Sequence, residues 1–162
     1  EDMDTVIDKP ARIKGYALHR VVEQHQQGVP ALWVDEGNQL RIRPKTTKAP
    51  AYEVGKLLGF TVTACVSFNC HGRHRYLPLD DWRGRKAWLE KQADKHGFQV
   101  VGVHVEGKMQ TVEPHDGRKF RLDASDFTGL LRVIDPAKFG VALTQGIGRV
   151  GKAYGLNLLV VQ

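Results

Sequence analysis

TGLLRVIDPAKFGVALTQGIGRVGKAYGLNLLVV, residues 128–161, is the stretch that decides the fold. TGLLRVI (128–134) is apolar and carries β-branched residues, so it reads as a strand. Asp135-Pro136 opens a helix, because proline fits the first helical turn, and PAKFGVALTQG carries that helix to Gly146. A glycine- and lysine-rich loop follows, and LNLLVV (156–161) is the closing strand. Working back from there, FQVVGVHV (98–105) is a strand, and KMQTVE (108–113) continues it. LDDWRGRKAWLEKQADKHG (79–97) is the longest helix. Asp80 or Asp81 caps it, Trp82, Ala87, Trp88 and Leu89 give it an apolar side, and Gly97 ends it. GFTVTACVSF (59–68) alternates and is β-branched, hence a strand, and NCHGRHRYLP (69–78) is a basic loop. Residues 59–162 therefore run β-α-β-β-α-β, the ferredoxin-like order.

The first part of the chain carries a fragment of the same pattern. Thr5–Ile7 is a short strand, and GYALHRVVEQHQQ (15–27) is a helix stopped by Gly28-Val29-Pro30. ALWV and QLRIR flank the turn set Asp35-Glu36-Gly37-Asn38 as a hairpin. KTTKAP (45–50) reads as a polar linker, and AYEVGKLLG (51–59) is the only candidate for a second helix. The expected fold class is α+β: tandem ferredoxin-like (RRM-like) domains, a degenerate one over 1–58 and a second, with the glycine-rich loop, over 59–162.

Composition narrows the function classes. The chain has 162 residues, of which 41% are hydrophobic, enough for a real core. Lys and Arg number 24 against 18 Asp and Glu, a net charge of +6, which suits a polyanion or an anionic surface or serves solubility alone. No apolar run approaches the length of a membrane span, and no signal-peptide pattern opens the sequence. Cys65 and Cys70 lie five apart, at odd spacing along an extended chain, so they point to opposite faces, and a reduced cytoplasmic setting without a disulfide is expected.

The loop at 146–152 matches two nucleotide-binding patterns, G-x-G-x-x-G and G-x-x-x-x-G-K. Neither has its frame. Only eleven residues follow Gly151, too few for a crossover helix and second strand, and Ala153 stands where a P-loop needs Ser or Thr. What remains is a set of glycine backbone amides at Gly146, Gly148 and Gly151 beside Arg149 and Lys152, suited to phosphates, or a plain turn. Tyr16 and His19 share one face of the first helix, a phenol beside an imidazole, which is an acid–base pair or an ordinary half-exposed face. Lys108 is placed to stabilise charge building up on a phosphate, or is a solvated lysine. Arg73, Arg75, Arg83, Arg85 and Lys86, with Tyr76 and Trp82 among them, suit an RNA backbone groove or a solvated basic face. His71 and His74 with Cys65 and Cys70 do not have structural zinc spacing. Asp80-Asp81 diverge on a helix and read as a cap.

Three separated patches point to one family. The tail 128–161, GKMQTV at 107–112 and YALH at 16–19 together resemble the CRISPR repeat-RNA-processing endoribonucleases of the CasE type, found in type I-E Cascade complexes. A compact variant, such as the processing nuclease of a plasmid-borne type IV system, fits the same residues. Val150 looks like a one-residue insertion in the glycine-rich loop, and Asn157 stands where the family usually has another glycine. The chain is also shorter than typical members, mostly in the first domain.

The resemblance implies tandem ferredoxin-like domains and metal-independent cleavage of CRISPR precursor RNA at repeat stem-loops by 2′-OH attack, giving a 2′,3′-cyclic phosphate and a 5′-OH. It implies His19 as general base or acid, Tyr16 orienting or sharing the proton transfer, and Lys108 stabilising the phosphorane. The RNA would be held by Arg73, Arg75, Arg83, Arg85 and Lys86, with Gly146, Gly148, Arg149, Gly151 and Lys152 on the loop. It implies no cofactor and no metal. The partners would be the repeat stem-loop, retained as guide RNA, and a multi-protein effector complex, with no membrane. The alternative is a non-catalytic hairpin-binding subunit of such a complex.

Overall fold

The computed structural model describes residues 3–13, 16–66, 68–70, 73–112 and 119–162, with the backbone alone for 68–70 and 73–75. Two antiparallel sheets organise it. The first holds β1 (Thr5–Asp8), β2 (Ala31–Asp35) and β3 (Gln39–Pro44) in the order β1-β3-β2, with α1 (Tyr16–Gln26) between β1 and β2. Leu18 and Val22, one turn apart on α1, are buried against Trp33, Leu40 and Ile42 of the sheet. Asp35 accepts the Gly37 N–H at 2.8 Å and so shapes the β2–β3 turn.

The second sheet holds β4 (Leu57–Ala64), β7 (Phe98–Glu106), β10 (Ser125–Val133) and β11 (Val160–Val161), in the order β11-β4-β10-β7. Helix α2 (Trp82–Lys95) joins β4 to β7, and α3 (Pro136–Gln145) joins β10 to β11. Numbered within this unit, the strand order is 4-1-3-2, the ferredoxin-like arrangement expected. Both helix starts follow the sequence reading. Asp81 accepts the Gly84 N–H, and Asp135 accepts those of Ala137 and Lys138 just ahead of Pro136. The core between sheet and helices is apolar, built on Phe60, Phe98, Phe127, Leu131, Phe139 and Leu143.

The first unit has β-α-β-β and stops. No helix forms over 51–59: Gly55, at φ +88°, turns the chain, its N–H donates to the Val133 carbonyl, and β4 begins at Leu57. The expected boundary after residue 58 thus falls inside a strand, with Leu57 and Leu58 opposite Arg132 and Leu131. Three further expectations change. The segment 69–78 contains a small hairpin of β5 (Phe68–Cys70) and β6 (Arg73–Arg75) rather than a plain loop. KMQTVE does not extend β7; β8 (Met109–Val112) turns away and pairs with β9 (Phe120–Asp123). The closing strand shrinks to Val160–Val161, because buried Asn157 takes φ +77° and breaks the extended run.

Arg43 ties the two sheets together. It is 1% exposed, and its Nε and Nη2 bond both oxygens of Asp4 at 2.6 and 3.0 Å. Its Nη1 donates to the carbonyls of Leu143 and Leu159, each at 2.8 Å, at the end of α3 and just before β11. A bidentate guanidinium–carboxylate pair with its remaining donor spent on backbone holds its geometry well. Among the described residues no helix is long and apolar enough to cross a membrane.

Candidate functional site

Tyr16 and His19 lie one helical turn apart at the start of α1, and their rings come together with centroids 5.4 Å apart at 51°. Arg20 sits 5.6 Å from the Tyr16 ring centre, within cation–π range. His19 Nε2 is 2.6 Å from Glu23 Oε1, the i+4 neighbour. The other ring nitrogen, Nδ1, is buried and has no hydrogen-bond partner among the described residues. The imidazole is therefore anchored through one nitrogen and unsatisfied at the other.

His19 lines a cavity of about 520 Å³. Val22, Glu23 and Gln26 of α1 form one wall, residues 28–33 form another, and Lys45, Lys152 and Ala153 complete it. Lys152 arrives there because Lys152–Tyr154 forms a single 3-10 turn that packs against α1 and β2. Gly151 opens this turn at φ +94°, with its would-be Cβ 2.6 Å from Leu156 Cδ1, so a larger residue would displace the turn. Burial, and then the positive charge of Lys45, hold the Lys152 ammonium below the ordinary lysine value.

The other predicted residues separate. Lys108 does not line this cavity; its Nζ is 2.7 Å from Asp126 and 3.8 Å from Glu106. The Asp126 hydrogen bond and charge hold it above the ordinary lysine value. Gly146 is buried and spends its N–H on the Ala142 carbonyl, so it offers no donor to a phosphate. Gly148 lies against the Trp88 ring. Arg149 is exposed. The loop leads into the 3-10 turn Lys152–Tyr154 and not into an α-helix, which is what both nucleotide fingerprints use.

Arg85 overturns the expectation of a phosphate contact. It is fully buried: Nε donates to Ser125 Oγ at 2.8 Å, and Nη2 pairs with buried Asp123 at 2.6 Å. The other donors go to the carbonyls of Pro78, Asp81 and Leu77. Its position on α2 faces the β9–β10 corner rather than solvent, which a run of basic residues does not reveal. Arg83 is exposed, 5.2 Å from the Trp82 ring centre, and Lys86 is half-buried. The side chains of Arg73 and Arg75, and those of Cys70, His71 and His74, lie outside the described residues. Cys65 is buried. Among the described residues no group of three or more His, Cys, Asp or Glu could hold a metal ion.

Two contributors to the cavity escaped the sequence reading. Lys45 sat in what looked like a linker, and Glu23 is a common helical i+4 partner with no motif around it. Asn157 explains a departure in the tail. Its φ of +77° is a conformation that glycine adopts freely and asparagine tolerates, and its side chain bonds the Val150 carbonyl and the Cys65 N–H.

A model of the family described as CRISPR associated protein matches residues 17–162, nearly the whole chain. The chain belongs to this family of CRISPR-associated proteins. It is 27% identical over 140 residues to the CRISPR-associated endoribonuclease Cse3 of Thermus thermophilus, a match covering 79% of this chain but only 65% of that protein. Among solved structures, it resembles Thermus thermophilus Cse3 bound to an RNA representing a pre-cleavage complex, with a TM-score of 0.76 at 22% identity, over 98% of this chain and 97% of that one. It also resembles Cas6e of Escherichia coli, with a TM-score of 0.72 at 21% identity, over 98% and 97% of the two chains. The structural likeness bears on the fold. The family anticipated from the tail, from GKMQTV and from YALH is the one found.

Proposed function

We propose that this CRISPR-associated protein is a metal-independent endoribonuclease that cuts CRISPR precursor RNA at a repeat stem-loop and keeps the guide RNA. One observation carries the reading. His19, from the first helix, and Lys152, from the last loop, line one cavity although they are 133 positions apart in the sequence (152 − 19), and the Tyr16 ring lies against the His19 ring. A phenol, an imidazole and an ammonium are the acid, base and electrophile that phosphodiester transesterification uses.

In this mechanism the 2′-oxygen of the nucleotide before the cut attacks the adjacent phosphorus. A 2′-O–P bond forms as the P–O5′ bond breaks, leaving a 2′,3′-cyclic phosphate and a 5′-OH. One proton leaves the 2′-OH and one reaches O5′, and His19 carries one of these transfers with Tyr16 orienting it. Lys152 balances charge on the crowded phosphorane, the role expected of Lys108. Half-burial strengthens its field there, because a charge acts over a lower effective dielectric away from water. The nucleophile belongs to the substrate, so the chemistry requires no metal-activated water. The Cse3 relative is named an endoribonuclease, and a Cse3 structure of similar fold carries RNA, both in keeping with this reading.

The competing reading, a hairpin-binding subunit that does not cut, draws on the His19–Glu23 contact, which occupies Nε2 in this state. Cleavage of the source genome's own repeat hairpin in EDTA, against a copy with one 2′-deoxy at the cut, separates the two. Cutting that the deoxy substitution blocks is expected, as is loss of cutting in His19→Ala with affinity kept within a few-fold. Tight binding by the wild-type protein without any cutting would establish the other reading.

A further inference from the structure

We propose that the cavity beside His19 is a nucleotide subsite, in which Lys45 and Lys152 hold a phosphate while an apolar floor takes the base of one unpaired nucleotide next to the cut. This rests on the endoribonuclease reading and adds to it a binding site with its own residues. The cavity, at about 520 Å³, has room for a whole nucleotide beside the imidazole. Val29, Pro30 and Ala31 supply accessible apolar lining, backed by the buried Val22, Leu32 and Trp33. Free phosphate would have no use for such a floor, whereas a base would cover it.

The two lysines are the second observation. Lys45 and Lys152 both line the cavity, and neither has a carboxylate partner among the described residues. They are close enough for Lys45 to disfavour the charge on Lys152. Two unpaired ammoniums repelling each other at a half-buried site are relieved by an anion between them. Lys45 is not on a loose tether. Its N–H donates to the Pro30 carbonyl and the Thr47 N–H to the Pro44 carbonyl, each at 2.9 Å, which pins the segment against the cavity wall.

The test measures how affinity for an uncleavable 2′-deoxy repeat hairpin varies with salt. Lys45→Ala should flatten the slope by about one unit, the signature of one lost phosphate contact. Lys91→Ala, which removes an equal charge from the exposed face of α2, should leave the slope unchanged. An abasic residue placed in turn on either side of the cut should weaken wild-type binding several-fold at one of the two positions. Val29→Trp, at the exposed rim of the cavity, should weaken intact RNA and erase that further abasic loss, because cavity and base are then removed only once. A Lys45→Ala slope equal to wild type, or an abasic loss undiminished in Val29→Trp, would overturn the subsite while hairpin cleavage by the wild-type protein still stands. If the wild-type protein neither binds nor cuts the hairpin, the endoribonuclease reading falls and the subsite with it.

Discussion

Replacing Arg85 should damage the fold and leave RNA contact alone. The side chain is fully buried, and so is its partner Asp123. Arg85→Ala strands the Asp123 carboxylate with Ser125 as its one remaining described side-chain donor, and it also takes a donor from the carbonyls of Leu77 and Pro78, the latter keeping the Asp81 N–H. Breaking a buried pair from one side costs about 3–5 kcal/mol, because the other charge stays in a medium that solvates it poorly. For a chain of this size each kcal/mol moves the melting temperature by about 2–4 °C, so a fall of roughly 6–20 °C is expected. Arg85→Met with Asp123→Leu removes both charges and should recover most of the loss. Thermal melts of the three proteins read the first effect. Salt titrations of hairpin binding, run well below the lowest melting temperature, read the second, and the slope should match wild type. A variant Arg85→Ala that melts with wild type and loses about one unit of salt slope would refute the reasoning and return Arg85 to the RNA surface.

Other expectations follow from the same geometry. Lys152→Ala should lower the cleavage rate far more than Lys108→Ala, which loses only an ion pair to Asp126 and Glu106; single-turnover rates in the reverse order would reinstate Lys108 as the phosphate-facing lysine. Arg43→Ala should destabilise by about 3 kcal/mol, since it leaves buried Asp4 with the Arg41 contact at 3.2 Å in place of its bidentate partner and removes the donor to Leu143 and Leu159; a urea midpoint equal to wild type would mean the two sheets do not depend on that clamp. Burial, and then the charges of Lys95 and Lys152, hold His96 below the ordinary imidazole value. Between that lowered value and about 6.5 the unfolded chain binds the extra proton. The contribution is therefore whole above about pH 6.5 and is lost as pH falls through the window. His96→Gln should flatten that acid-side decline in melting temperature, and an undiminished decline would assign it to other groups.

The second unit was legible because its signals are local. Asp81 and Asp135 cap helices wherever the chain goes, Gly97 stops one, and apolar periodicity marks the faces that must be buried. The glycine-rich tail and YALH were equally readable, and they named the family before any contact was known. Strand partners were less legible, since MQTV has the same composition whether it extends β7 or pairs with FRLD of β9. The short closing strand was hidden for a related reason: LNLLVV looks extended until Asn157 is seen at φ +77°.

The candidate site residues divide along the same line. Sequence by itself determined that a phenol and an imidazole share a face of α1, since helical spacing decides it. It could not determine which cation joins them. Lys108 and Lys152 are both lysines beside glycines, and only the packing of the 3-10 turn on α1 brings Lys152 to the His19 cavity and leaves Lys108 on Asp126. Nor could it separate Arg83 from Arg85, two residues apart on one helix. Charge is a property of the side chain, but whether that charge faces water or a buried carboxylate is decided by what lies across from it. For Arg85 that neighbour is Asp123, 38 residues away in the sequence and 2.6 Å away in the fold.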